Sequence, residues 1–151
     1  MTMPSLLDQE PPPQQEIPIT RVCWDELFAF LQDLFKPKAA RPYVNLNRVT
    51  TDKQEYVKVV EWVVPSDFKG EIEGVTLNCP VVADYDNTLW GLEIASQVKF
   101  KDEYIGTALT LCFGGCEIHT HQSVILWGKS ATGLPVKMDG AIYGREIQLG
   151  K

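Results

Sequence analysis

Both histidines of the chain stand in one short stretch, Glu117-Ile118-His119-Thr120-His121. In an extended strand alternate side chains point the same way, so this spacing projects Glu117, His119 and His121 from one face. Imidazole and carboxylate groups presented together can hold Zn²⁺ or Fe²⁺, which makes these three the candidate metal ligands. Cys112 joins them if Gly114-Gly115 is the two-residue turn of a hairpin over residues 105–121, because that register sets Cys112 across from Glu117. Cys116 then falls on the other face with Leu109, Leu111, Phe113 and Ile118, the side expected in the core. The same pairing makes Cys112 and His119 diagonal neighbours, the minimum for a thiol–imidazole nucleophile. No third residue or oxyanion hole accompanies them, so no complete catalytic set is assembled.

A second stretch, Val81-Val82-Ala83-Asp84-Tyr85-Asp86-Asn87-Thr88-Leu89-Trp90, runs from an apolar segment into Asp-x-Asp-x-Thr. It resembles the first motif of the haloacid dehalogenase phosphatases. That resemblance implies Asp84 as phosphoryl-accepting nucleophile, Asp86 as general acid/base, and a Mg²⁺ ion. The family builds its site on a parallel α/β sheet, whereas the chain after Thr88 reads as hairpins. In that setting Asp84 to Asn87 is turn chemistry, with side chains bonding to nearby amides. The His-x-His of the first stretch resembles the cupin metal motif, but no glutamate follows His121 at the short distance that motif needs. A phosphate loop, a dinucleotide fingerprint and a nucleophile elbow are absent from the sequence.

What must position these residues is mostly strand. The exception is Thr20 to Phe35, where Cys23, Leu27, Phe30, Leu31 and Leu34 recur at the three-and-four spacing of one helical face. Thr20 suits the N-cap, and Lys36-Pro37 ends the helix. The apolar stripe predicts a helix buried against a sheet. Strands are expected over Tyr43–Val49, Tyr56–Val64 and Gly74–Ala83, then around Trp90, Leu92 and Ile94 and on to Phe100. In the second of these, apolar residues of both parities imply a β-bulge near Val59-Val60 or burial on both faces. Asp139-Gly140 is the favoured pair for a last hairpin, from Val136–Met138 into Ala141–Leu149. The expected fold is α+β: one N-terminal helix packed on a curved, mainly antiparallel meander sheet or partly open barrel of about seven strands.

With 151 residues the chain fits one domain able to bury its own core. Residues 1–18 hold five prolines and Asp8, Glu10 and Glu16 without a basic residue, so they read as an acidic arm ahead of a single domain over 19–151. The net charge of -6 repels phosphate and argues against nucleic acid. A signal peptide and a membrane span are not visible, and the four cysteines have no framework spacing, which together point to reduced thiols in the cytoplasm. The leading expectation is therefore a non-catalytic protein-binding or assembly module of the cytosol, an adaptor or assembly factor without cofactor. Its partner would be another protein, met through the arm or an exposed sheet edge, and a homo-oligomer is compatible with this. The alternatives are a small metal-dependent enzyme or ligand binder using the Glu117/His119/His121 face, and a structural subunit of a larger particle.

Overall fold

Alternating apolar and polar residues from Ala40 onward favour extended, half-buried backbone, and the chain there forms eight strands. They are β1 (Ala40–Thr51), β2 (Val57–Val63), β3 (Phe68–Asn78), β4 (Thr88–Ile94), β5 (Gln97–Glu103), β6 (Leu109–Ile118), β7 (Ser123–Ser130) and β8 (Val136–Gln148). A helix, α1 (Arg21–Phe35), precedes them. The computed structural model describes residues 21–35 and 39–150; the Pro-rich arm and the Thr20 cap lie outside the described residues. The chain divides into two compact units, Met1–Pro37 and Lys38–Lys151.

The strands make two four-stranded antiparallel sheets. Sheet A has the order β1-β8-β3-β6 and sheet B the order β2-β7-β4-β5. This is a jelly-roll sandwich, with sheets that do not close into a barrel. The expected meander is corrected: only β4 and β5 are neighbours both in sequence and in a sheet. Two dipeptides expected as turns, Gly114-Gly115 and Asp139-Gly140, account for it. Gly114 and Gly115 do adopt positive φ, at 61° and 83°, but inside β6. There they form a bulge, since β6 advances from Cys116 to Cys112 while β3 advances only from Ile72 to Gly74. Gly140 is likewise mid-strand in β8, where a Cβ would come within 3 Å of Val59 Cγ1 and Leu126 Cδ2. It is a glycine because the facing sheet approaches closely, not because the chain turns.

Between the sheets lies one apolar core, including Val59, Val60 and Trp62 from β2, Ile72, Val75 and Leu77 from β3, Trp90 and Leu92 from β4, and Met138 and Ile142 from β8. The bulge expected in β2 is present: pairing shifts between Lys58 and Val60, and both Val59 and Val60 turn inward. The core contains no α1 residue among those described. On α1, Leu27, Phe30 and Leu31 are 45%, 60% and 38% exposed.

Edge strand β1 is held to edge strand β2 by side chains: Asn45 Nδ2 donates to the Glu61 carbonyl at 2.9 Å and Asn47 Nδ2 to the Val59 carbonyl at 2.7 Å. Next to them Tyr43 stacks on Trp62, ring centroids 4.4 Å apart. Buried Glu146 accepts from Trp62 Nε1 at 3.0 Å and from Arg41 Nε at 2.6 Å. Pro42 is accommodated within β1 because that strand is an edge, with pairing on one side only.

Candidate functional site

The predicted metal ligands do not share a strand face. β6 ends at Ile118, and His121 has φ 66°, so the period of two stops before either histidine is reached. His119 Nδ1 is 3.8 Å from Glu117 Oε1, while His121 Nε2 faces Ser66 Oγ at 3.5 Å. Glu117 is paired instead with Lys69 Nζ at 3.2 Å. Cys112 lies on the same strand as Glu117 and opposite Gly74, not across a hairpin from Glu117. Among the described residues, no group of three or more His, Cys, Asp or Glu is placed to hold a metal ion.

The Asp84 motif is also built differently from its resemblance. Val82–Asn87 is a 3-10 helix, not a strand end. Asp84 Oδ2 accepts the Lys137 backbone N–H at 2.9 Å, and the Asp84 carbonyl accepts from Thr88 Oγ1 at 2.7 Å. Asn87 Oδ1 accepts the Thr132 N–H at 2.9 Å. These side chains tie the loop before β4 to the start of β8. Asp84 is thus engaged as a cap in an antiparallel sandwich, and the phosphatase geometry of a parallel sheet is missing.

Two other surfaces carry the features of a site. The first is the outer face of sheet A. Strand register aligns Val44, Tyr143, Gly74 and Cys112 in one row across all four strands, and Leu46, Ala141, Thr76 and Thr110 in the next. Both rows are uncharged, and Val44 and Leu46 are 63% and 72% exposed. Ion pairs frame them on either side. Arg48 Nε meets Asp139 Oδ1 at 2.6 Å on one flank, and Arg145 bridges Glu71 at 2.8 Å and Glu73 at 3.3 Å on the other. Arg48 holds the Asp139 carboxyl below the usual range. A hollow of about 400 Å³ lined by Leu46, Asn47, Arg48, Asp139 and Gly140 borders the patch.

The second is a polar cluster at the edge of sheet B. The Tyr56 hydroxyl donates to Asp102 Oδ1 at 2.6 Å and accepts the Asp102 N–H at 2.8 Å. Lys129 Nζ is 2.9 Å from Asp102 Oδ1 and 4.5 Å from the centre of the Tyr56 ring. Asp102 reaches this position with φ 56°. Burial, with Asp102 beside it, pushes the Tyr56 phenol up to about 12. The Tyr56 hydroxyl and Lys129 pull the Asp102 carboxyl below its ordinary value. These bonds join Tyr56, just ahead of β2, to Asp102 in β5 and Lys129 in β7.

Neither surface follows from the sequence reading. The sheet A rows depend on β1 pairing with β8, and nothing local in Val44 or Leu46 reports that partner. Tyr56 was at hand as the start of a strand, yet its link to Asp102 requires a backbone turn no motif encodes. Among the described residues no helix is long and apolar enough to cross a membrane. No known protein family matches the chain, and no curated protein matches it.

Proposed function

We propose that the chain is a non-catalytic binding and assembly module that docks another protein on the outer face of sheet A. The observation that supports this is the pair of uncharged rows through Val44 and Leu46, spanning four strands and framed by ion pairs. An exposed apolar strip with a polar rim has the anatomy of an interface, with desolvation at the centre and charges at the border fixing orientation. Jelly-roll sandwiches serve as particle subunits as well as binding domains, so assembly with further copies falls within the proposal, by analogy of fold.

Sedimentation of the purified chain over a range of concentrations, with crosslinking in its source cells, tests this. Leu46→Asp places a carboxylate in the centre of the strip at a position that is exposed in the lone chain. The expected outcome is at least tenfold weaker association with an unchanged melting temperature. If every association survives Leu46→Asp and Val44→Asp alike, the outer face of sheet A is not the interface.

A further inference from the structure

We infer that a cleft on the outer face of sheet B binds the ring of a neutral saccharide. The argument starts from Gly91 in β4. Among the glycines that lie in strands, Gly70, Gly74, Gly128, Gly140 and Gly144 answer to the protein's own packing, since a Cβ at each would come closer than 3 Å to a neighbouring atom as it now lies. Gly114 and Gly115 are required by positive φ. Gly91 is required by neither. A Cβ there would sit at ordinary contact distance, 3.5 Å from the Phe100 carbonyl and the Tyr56 ring and 3.6 Å from Trp127 Cβ. Glycine weakens a strand, and one that the fold does not need marks a place where something else comes close to the backbone.

The missing side chain leaves a cleft of about 360 Å³, with Gly91 as floor and Tyr56 and Trp127 as its aromatic walls. That volume is in the range of small-molecule sites. Glu93 and Lys101 also line it, and neither has a hydrogen bond or ion pair among the described residues. The wall carrying Tyr56 is braced by Asp102 and Lys129.

Charge and polarity then select the occupant. A cationic ligand is repelled by the ammonium groups already gathered there, Lys129 and Lys101 by Tyr56 and Lys58 by Trp127. An anion meets Glu93 on a chain of net charge -6. A wholly apolar ligand would strip water from Glu93 without replacing its hydrogen bonds. A neutral sugar ring meets all of these demands. Its C–H face lies against the aromatic walls, its hydroxyls donate to Glu93, and they accept from Lys101.

Saturation-transfer NMR and titration calorimetry on the full chain, against neutral gluco-, manno-, galacto- and xylo-oligosaccharides, test the assignment. At least one of the four should bind. Trp127→Ala and Gly91→Val should each weaken that binding tenfold or more, and Gly91→Ala, which the backbone accommodates, guards against misfolding of the valine variant by weakening it in the same direction. Glu93→Gln, which keeps an acceptor, should bind better than Glu93→Ala. The inference is overturned if none of the saccharides binds, if binding is the same in the Trp127 and Gly91 variants, or if N-acetyltryptophanamide occupies the cleft in their place. That last result would assign the cleft to an aromatic side chain of a peptide.

Discussion

Gly74 and Gly91 occupy equivalent situations on the outer faces of the two sheets, each in a strand and each beside large aromatic side chains. They are used in opposite ways. Over Gly74 the Tyr143 ring lies where a Cβ would be, so sheet A fills its own gap and presents a flat surface. Over Gly91 no side chain takes the place of a Cβ, and the nearest atoms, on the Phe100 carbonyl, the Tyr56 ring and Trp127 Cβ, stay at ordinary contact distance. A glycine covered from within makes a face suited to a broad partner, and one left open makes a slot suited to a small one. The residue type is the same; what differs is whether the neighbouring strand supplies a side chain long enough to cover it.

Substitution at the glycines can break this distinction. The largest effect is expected at Gly144, where a Cβ would collide with the backbone carbonyl of Glu71 and no rotamer change can relieve it. Gly144→Ala should cost roughly 3 kcal/mol in denaturant unfolding, from overpacking at the β3 bulge. Gly74→Ala should cost less, about 1 kcal/mol, because the obstacle is the outer end of the Tyr143 side chain, which can swing away. Gly91→Ala should have the other sign. Its backbone is not in the left-handed region and has room for a methyl group, so restricting the unfolded chain should stabilise by about 0.4–1 kcal/mol. A Gly91→Ala protein destabilised as much as Gly144→Ala would erase the contrast.

A smaller effect, in pH, sharpens the account of the slot's wall. Asp102 has a lowered native pKa, so the unfolded state takes up protons first as acid is added. Its stabilising contribution is present above about pH 4, the unfolded carboxyl value, and is lost as pH falls through the lowered native one. Asp102→Asn should therefore flatten the acid limb of a stability–pH profile. Tyr56 works at the alkaline end. Its phenol is raised to about 12, so its contribution is full below the ordinary value of 10.0 and disappears between the two. In a phenolate absorbance titration, Tyr56→Phe should remove a component that titrates near pH 12. Tyr43, raised mainly by its own burial beside Trp62, should remain late in that variant.

The parts of the fold legible in the sequence are those set by neighbours along the chain. Apolar residues of both parities around Val59 and Val60 announce a bulge, and the bulge is there. Trp90, Leu92 and Ile94 alternate, and all three are buried. Glycine pairs misled because a turn, a bulge and a close approach all ask for the same residue. The true tight hairpin, between β4 and β5, turns at Ala95 and Ser96 with φ of 50° and 64°, which neither residue type advertises. Glu117, His119 and His121 were read as one face on the assumption that the strand continued, and His121 enters the left-handed region instead. Gly91 was visible as an outward position opposite buried Trp90 and Leu92. Its meaning depends on Trp127 and Phe100, which reach it only through the register of three strands.

The place of β8 has a consequence for how the chain is made. It lies between β1 and β3, yet it follows every other strand in sequence, and its pairing joins Ala40 to Ile147. A chain growing on the ribosome can complete sheet B while β1 and β3 still lack the strand that links them. Half of the sandwich must wait, with the apolar residues of β3 unshielded, until Gln148 has been synthesised and has cleared the exit tunnel. Completion of this unit then waits for its last strand, and the exposure of β3 lasts as long as β8 takes to follow it from the ribosome.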